Sequence, residues 1–156
     1  AWGKPGGGKV CIGEYRHSLD DKNRIIVPSK FRSELDGKFI ATRGLDGCLA
    51  CFPVEEFSKY LSTITSMPVE RKEVRQYLRT ISANAVECDL DSQGRVVLPQ
   101  KLREMANIKR DIVITGALNR FEVWAQEDYG RYEEETSPLY EKLAEDLADM
   151  GLKGSL

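Results

Sequence analysis

No apolar run in this 156-residue chain approaches the roughly 20 residues that a membrane-spanning helix requires. A membrane partner is therefore not expected. The chain also lacks a basic start followed by an apolar stretch, the pattern of a secretory signal, so the expected setting is the reducing cytoplasm. Histidine occurs once, at His17, with no His or Cys at ligand spacing. No Ser/His/Asp set is visible, and Gly6-Gly7-Gly8-Lys9 lacks the spacing and preceding strand of a phosphate loop. The expectation is a non-enzyme, with no catalytic residue, cofactor, metal or small-molecule substrate. Cysteine is sparse too, at positions 11, 48, 51 and 88. Cys48 and Cys51 form a C-x-x-C, but they lie in "CLACF", which reads as a strand. Side chains three apart on a strand point to opposite faces, so the sulfurs diverge. Burial is the expected fate of all four.

Net charge is −2 with a pI near 5.6, which at first argues against a nucleic-acid partner. The distribution reverses that. Residues 127–149 carry nine acids and two bases, a net of −7, whereas residues 1–126 carry twenty bases and sixteen acids, a net of +4.

That mildly basic part contains an internal repeat, which takes priority over any other pattern. "LDDKNRIIVPSKFR" at 19–32 returns as "LDSQGRVVLPQKLR" at 90–103, with Leu, Asp, Arg, Pro, Lys and Arg unchanged. Each copy has a polar-apolar stretch, an Asp-led turn, a three-residue aliphatic run, a Pro suited to a first helical turn, and a short amphipathic segment. Gly37 and Asn107 are residue types that end helices in the left-handed conformation. Two strands then follow in each copy, "KFIAT" to "CLACF" and "DIVIT" to "FEVWA". Asp46-Gly47 is a strong hairpin signal between the first two, and Asn119-Arg120 a weaker one between the others. "EEF" and "EDY" each open a helix. Residues 68–83 read as an amphipathic helix with Val74, Leu78 and Ile81 on one stripe, and Pro138 starts a last helix bearing Leu139, Leu143 and Leu147. These two apolar stripes exceed what two small units need, so self-association is expected. A unit of about forty-five residues is too small to bury a good core alone. Two of them, strand against strand, predict an α+β fold packed as a pseudo-two-fold barrel with flanking helices.

The turns are the candidate site. Asp91-Ser92-Gln93-Gly94 suits a type I turn with Gly in the left-handed position, and Asn23 replaces that Gly in the first copy. Asp20 and Asp91 can each accept a backbone N–H two residues on, stiffening the loop from which Arg24 and Arg95 emerge. Lys22 and Gln93 add donors at the same tips. A braced arginine suits a phosphate oxygen or a guanine edge. The competing reading is that Asp20–Arg24 and Asp91–Arg95 merely close their own turns as ion pairs. Arg32 and Arg103 read as helix-surface residues without a ligand, and Lys30 and Lys101 stay undecided.

Both D-x-x-x-R motifs, some seventy residues apart, together with "CLACFP" and "FEVW", resemble the MraZ family of bacterial transcriptional regulators with two tandem AbrB-like (SpoVT-AbrB) units. The resemblance runs from about residue 12 to Tyr129. It implies swapped-hairpin β units, ring-like homo-oligomers at the nucleoid, and binding to repeated promoter sites in double-stranded DNA ahead of the division and cell-wall gene cluster. It puts DNA contacts at Asp20, Lys22, Arg24, Asp91, Gln93 and Arg95. The alternative is an AbrB-like antitoxin that binds a protein toxin and its own promoter. Asn23 and the glycine-rich start depart from the family pattern. The expected organisation is a flexible tail over 1–11, left by processing or added for expression, then repeats over 12–57 and 84–127. A helical linker over 58–83 separates them, and an acidic helical segment over 128–156 ends the chain.

Overall fold

The computed structural model describes residues 11–154. The glycine-rich tail, apart from Cys11, lies outside the described residues. The chain divides between Gln126 and Glu127 into two compact units.

The first unit holds both copies of the repeat. Copy one supplies strands β1 (Glu14–Ser18) and β2 (Arg24–Ile26), helix α1 (Ser29–Arg32), and strands β3 (Lys38–Arg43) and β4 (Leu49–Phe52). Helices α2 (Val54–Thr65) and α3 (Lys72–Ala83) follow. Copy two supplies β5 (Val86–Asp89), β6 (Arg95–Val97), α4 (Gln100–Met105), β7 (Asp111–Gly116) and β8 (Phe121–Ala125). Six strands make one antiparallel sheet in the order β1-β7-β8-β4-β3-β5, and β2 pairs with β6 in a separate ribbon.

The register shows the two-fold. Strand β1 runs against β7, from Glu14 opposite Thr115 to Ser18 opposite Asp111. Its counterpart β5 runs against β3, with Lys38 opposite Asp89 and Ala41 opposite Val86. At the centre β4 meets β8, and Ile25 of β2 sits opposite Val96 of β6. Apart from the two hairpins, every strand pair joins one copy to the other. This is an α+β fold of two tandem AbrB-like units that exchange strands.

Alternation along the strands sorts side chains to two faces. The inner face holds the main core, with Phe121 of copy two at its centre. Its ring stacks on Phe31 at 5.4 Å and meets Phe39 edge-on at 5.2 Å, both from copy one. On the other face, Ala50 and Phe52 pack with Phe57, Ile64, Val74 and Ile81 of α2 and α3. Buried Thr42 donates its hydroxyl to the Ile81 carbonyl at 2.8 Å.

The helical region differs from the expected single helix over 68–83. Helix α3 begins only at Lys72, and residues 66–71 turn instead. The Arg75 guanidinium ties down that turn, donating to the Val69 and Glu70 carbonyls at 2.9 and 2.8 Å. Val74, Leu78 and Ile81 do share a stripe, but α2 and the sheet cover it. Val74 and Ile81 are buried there, and Leu78 is partly buried.

Asp46 (φ 62°) and Gly47 (φ 89°) form the β3–β4 hairpin, with the Cys48 amide donating to the Leu45 carbonyl at 3.4 Å. In the β7–β8 hairpin the positive φ falls on Leu118 (64°), not on Asn119. Leu118 is pinned there by an antiparallel bridge to Cys11, its amide donating to the Cys11 carbonyl at 2.8 Å. None of the four cysteines forms a disulfide, and all are buried. Cys51 lies in the main core, whereas the Cys48 thiol turns back to the Leu45 carbonyl at 3.1 Å. Burial pushes the Cys48 thiol up to about 12 and the Cys88 thiol to about 11. Their thiolates are therefore suppressed.

The second unit takes in helix α5 (Gln126–Thr136) from Glu127 on, a 3-10 turn (Ser137–Leu139) and helix α6 (Tyr140–Asp149). Pro138 sits in the 3-10 turn, so the last helix starts two residues later than Pro138. Leu139, Leu143 and Leu147 are 49%, 44% and 48% exposed.

Because Phe121 joins the two copies through their rings, Phe121→Ala is expected to cost about 3–5 kcal/mol. Denaturant unfolding should show this as one cooperative transition at lower midpoint, without a surviving half.

Candidate nucleic-acid interface

Each tip is built by one aspartate. In the first, the Asp20 carbonyl accepts the Asn23 amide at 3.0 Å, closing the turn, and the Asp20 amide donates to Arg24 O at 3.1 Å. Asn23 takes the left-handed conformation at φ 58° and Gly94 takes it at 77° in the second tip. Asp20 Oδ1 accepts the amides of Lys22 and Arg24 at 2.8 and 2.9 Å, and Oδ2 accepts Arg24 Nε at 2.6 Å. The second tip repeats this almost bond for bond. Asp91 Oδ1 accepts Gln93 and Arg95 amides at 2.9 and 2.8 Å, and Oδ2 accepts Arg95 Nε at 2.8 Å.

The ionised carboxylate is held in both tips. The Arg24 amide bond is the largest cause that lowers the Asp20 carboxyl to about 2, assisted by the Arg24 side chain and the Lys22 amide against some desolvation. Asp91 is lowered by the same arrangement, led by the Arg95 amide. Each aspartate thus spends its oxygens on its own loop and acts as a brace. Each arginine gives up only Nε. Among the described residues, the Nη groups of Arg24 and Arg95 make no hydrogen bond, and those four N–H donors per residue form a planar fork suited to an acceptor pair. Lys22 and Gln93 are exposed at the tips.

The ribbon brings the two arginines together. Arg24 is opposite Val97 and Arg95 is opposite Ile26, so all four share one face. In such a pair, opposite Cβ atoms are about 4.5–5.5 Å apart and diagonal ones about 7–8 Å. Ile25 and Val96, on the reverse face, are 0% and 4% exposed; Ile26 and Val97 are 47% and 56% exposed. The repeat shows "RII" and "RVV" as uniform aliphatic runs, and nothing in it marks the last residue of each as an outward one. Strand parity marks it: once the middle residue is buried, the arginine and the residue two on must face out.

Arg32 reads from the sequence as a helix-surface residue, but it reaches across from α1 to donate to the Gln93 carbonyl at 3.1 Å. A Cβ on Gly94 would run into Arg32 Nη1. Glycine at that tip therefore serves both its positive φ and the guanidinium lying against it. Arg103 instead donates from Nε to the Leu98 carbonyl at 2.9 Å, bracing the strand end. Lys30 and Lys101 are exposed.

Away from the tips, a cavity of about 530 Å³ opens between the β3–β4 hairpin and α3, bordered by Leu45, Cys48, Tyr77 and Ile81; no tip residue lines it. Among the described residues, no three His, Cys, Asp or Glu side chains are grouped to hold a metal ion, and no helix is long and apolar enough to cross a membrane.

Two matches to one family model, "MraZ protein, putative antitoxin-like", fall on residues 10–80 and 81–150. The chain belongs to the MraZ family. Relatives named "Transcriptional regulator MraZ" include those of Halothermothrix orenii, 44% identical, and Syntrophomonas wolfei, 45% identical, each over 143 residues. A third, from Pediococcus pentosaceus, is 43% identical over the same length. Each alignment covers 92% of this chain and 100% of the relative. Within the MraZ family fold, the two model matches coincide with the two strand-exchanging copies, each carrying one braced arginine.

The lowered carboxyls set an acid limit on tip order. Because the Asp20 pKa falls from 3.8 to about 2 on folding, its contribution is complete above the unfolded value and is lost as pH drops through the folded one. An NMR titration of the Lys22 and Arg24 amides is expected to show the tip loosening between about pH 4 and pH 2. In Asp20→Asn that transition should disappear.

Proposed function

We propose that the chain is a sequence-specific DNA-binding transcriptional regulator, working from the cytoplasm at the nucleoid. In this reading Arg24 and Arg95 grip base edges or phosphates, Asp20 and Asp91 hold them in place, and Lys22 and Gln93 supply flanking donors. The single observation that carries it is the doubled brace, which fixes each arginine through Nε and leaves its Nη fork open. An exposed ion pair built only to close a turn contributes about 0–1 kcal/mol, and closing a turn does not require the two arginines to share one face. The names of the relatives support regulation of transcription. By the family resemblance, the target is the promoter of the division and cell-wall gene cluster, including the protein's own gene, with repeated sites met by a ring of subunits.

Self-association in this reading rests on the exposed Leu139, Leu143 and Leu147 stripe of the acidic unit, since Val74 and Ile81 of the α3 stripe are already buried. A second reading, an antitoxin, draws on the same acidic unit as a surface for a protein toxin. Depletion in cells separates the two: a regulator's loss changes transcript levels, whereas an antitoxin's loss releases a toxin and arrests growth.

Arg24→Ala and Arg95→Ala should each weaken binding to DNA from upstream of the gene by about 1–3 kcal/mol for each guanine no longer gripped. Melting temperature should barely move. If the arginine instead grips phosphate, the salt slope should fall by about one. Unchanged affinity with lowered melting temperature would leave only the turn-closing ion pair. Native mass spectrometry at micromolar concentration should show an oligomer, and a monomer would end the ring.

A further inference from the structure

The outward face of the β2–β6 ribbon holds an apolar pair between the arginines, and gripping by arginine alone leaves that pair without a role. Isolated exposed aliphatics are ordinary. These two, Ile26 and Val97, are diagonal neighbours on a face only four residues wide, and each stands directly across from an arginine whose Nη fork is open. A two-stranded ribbon fits the B-DNA major groove, and the one apolar group on a base edge there is the thymine C5-methyl.

We infer that Ile26 and Val97 are specificity-determining residues that read thymine methyl groups in the major groove, beside the bases or phosphates gripped by Arg95 and Arg24. The inference rests on the DNA-binding reading above. The face commits to DNA as occupant by charge complementarity: two arginine forks flank the apolar pair, with Lys22 exposed at one tip, in a part of the chain that is net positive. Each Arg–aliphatic pair makes one composite reading head. Because opposite side chains lie about 4.5–5.5 Å apart and bases rise about 3.4 Å per step, each methyl sits within about two base pairs of its arginine's contact.

The experiment uses the full-length protein and a duplex it selects from a random pool, remade with deoxyuridine in place of each thymidine in turn. Deoxyuridine keeps the pairing and removes only the methyl. At one or more thymines, wild type should lose about fourfold in affinity, the effect of one buried methyl-sized group. Ile26→Ala and Val97→Ala should each bind the thymidine duplex more weakly by a similar factor and become indifferent to deoxyuridine at its own position. Both sites are exposed, so melting temperatures should stay near wild type. If wild type ignores every deoxyuridine while Arg24→Ala still abolishes binding, methyl reading is wrong and the arginine reading survives. If the alanine variants keep the full deoxyuridine sensitivity, the methyls are read elsewhere and the inference is wrong. If instead they change only the oligomeric mass, the apolar pair is a contact between copies and the inference is equally wrong. Arginine variants that bind as wild type does would remove both readings together.

Discussion

Strand exchange is the constraint on which the other features rest. Strand β1 finds its partner in β7 and β5 finds its partner in β3, so neither copy pairs its own outer strand. The core follows the same rule, since Phe121 of one copy is packed by Phe31 and Phe39 of the other. Forty-odd residues bury too little surface to stand alone, and interleaving gives both copies one shared interior. The β2–β6 ribbon is a product of that exchange: it exists only because the two D-x-x-x-R turns arrive from opposite ends of the pseudo-two-fold.

Within the ribbon, electrostatics serves geometry. A carboxylate that accepts two amides and one guanidinium nitrogen holds a five-residue loop in one shape, and the lowered Asp20 carboxyl is the thermodynamic mark of that work. The arginine loses rotamer freedom before any ligand arrives, so less has to be lost on binding. Asp20 and Asp91, which the family resemblance places among the DNA contacts, each accept three bonds from their own loop.

Much of this is legible in the sequence because the duplication repeats it. Asn23 and Gly94 at the tips and Asn107 just past α4 take the left-handed conformation their residue types tolerate, and Gly37 takes it too, though in the turn before β3 and not at the end of α1, which stops at Arg32. The hidden parts are long-range. No local signal places a positive φ on Leu118 rather than Asn119; the bridge to Cys11 decides it. The turn before Lys72 is held by Arg75, whose side chain reaches back to residues 69 and 70. Arg32 is tied to a loop sixty-one positions away, a contact that only the exchanged topology creates.

The two copies are alike without being the same. Lys22 stands where the other tip has Gln93, Asn23 where it has Gly94, and Ile26 where it has Val97. Among the described residues, only one tip is clasped from behind by a helix arginine, Arg32 on Gln93. An assembly of two identical units has a true two-fold and looks the same from either end. Here the ribbon has a head and a tail, so turning the molecule end for end presents a different surface. A covalent pair of near-copies thereby gains a polarity that a pair of identical units lacks.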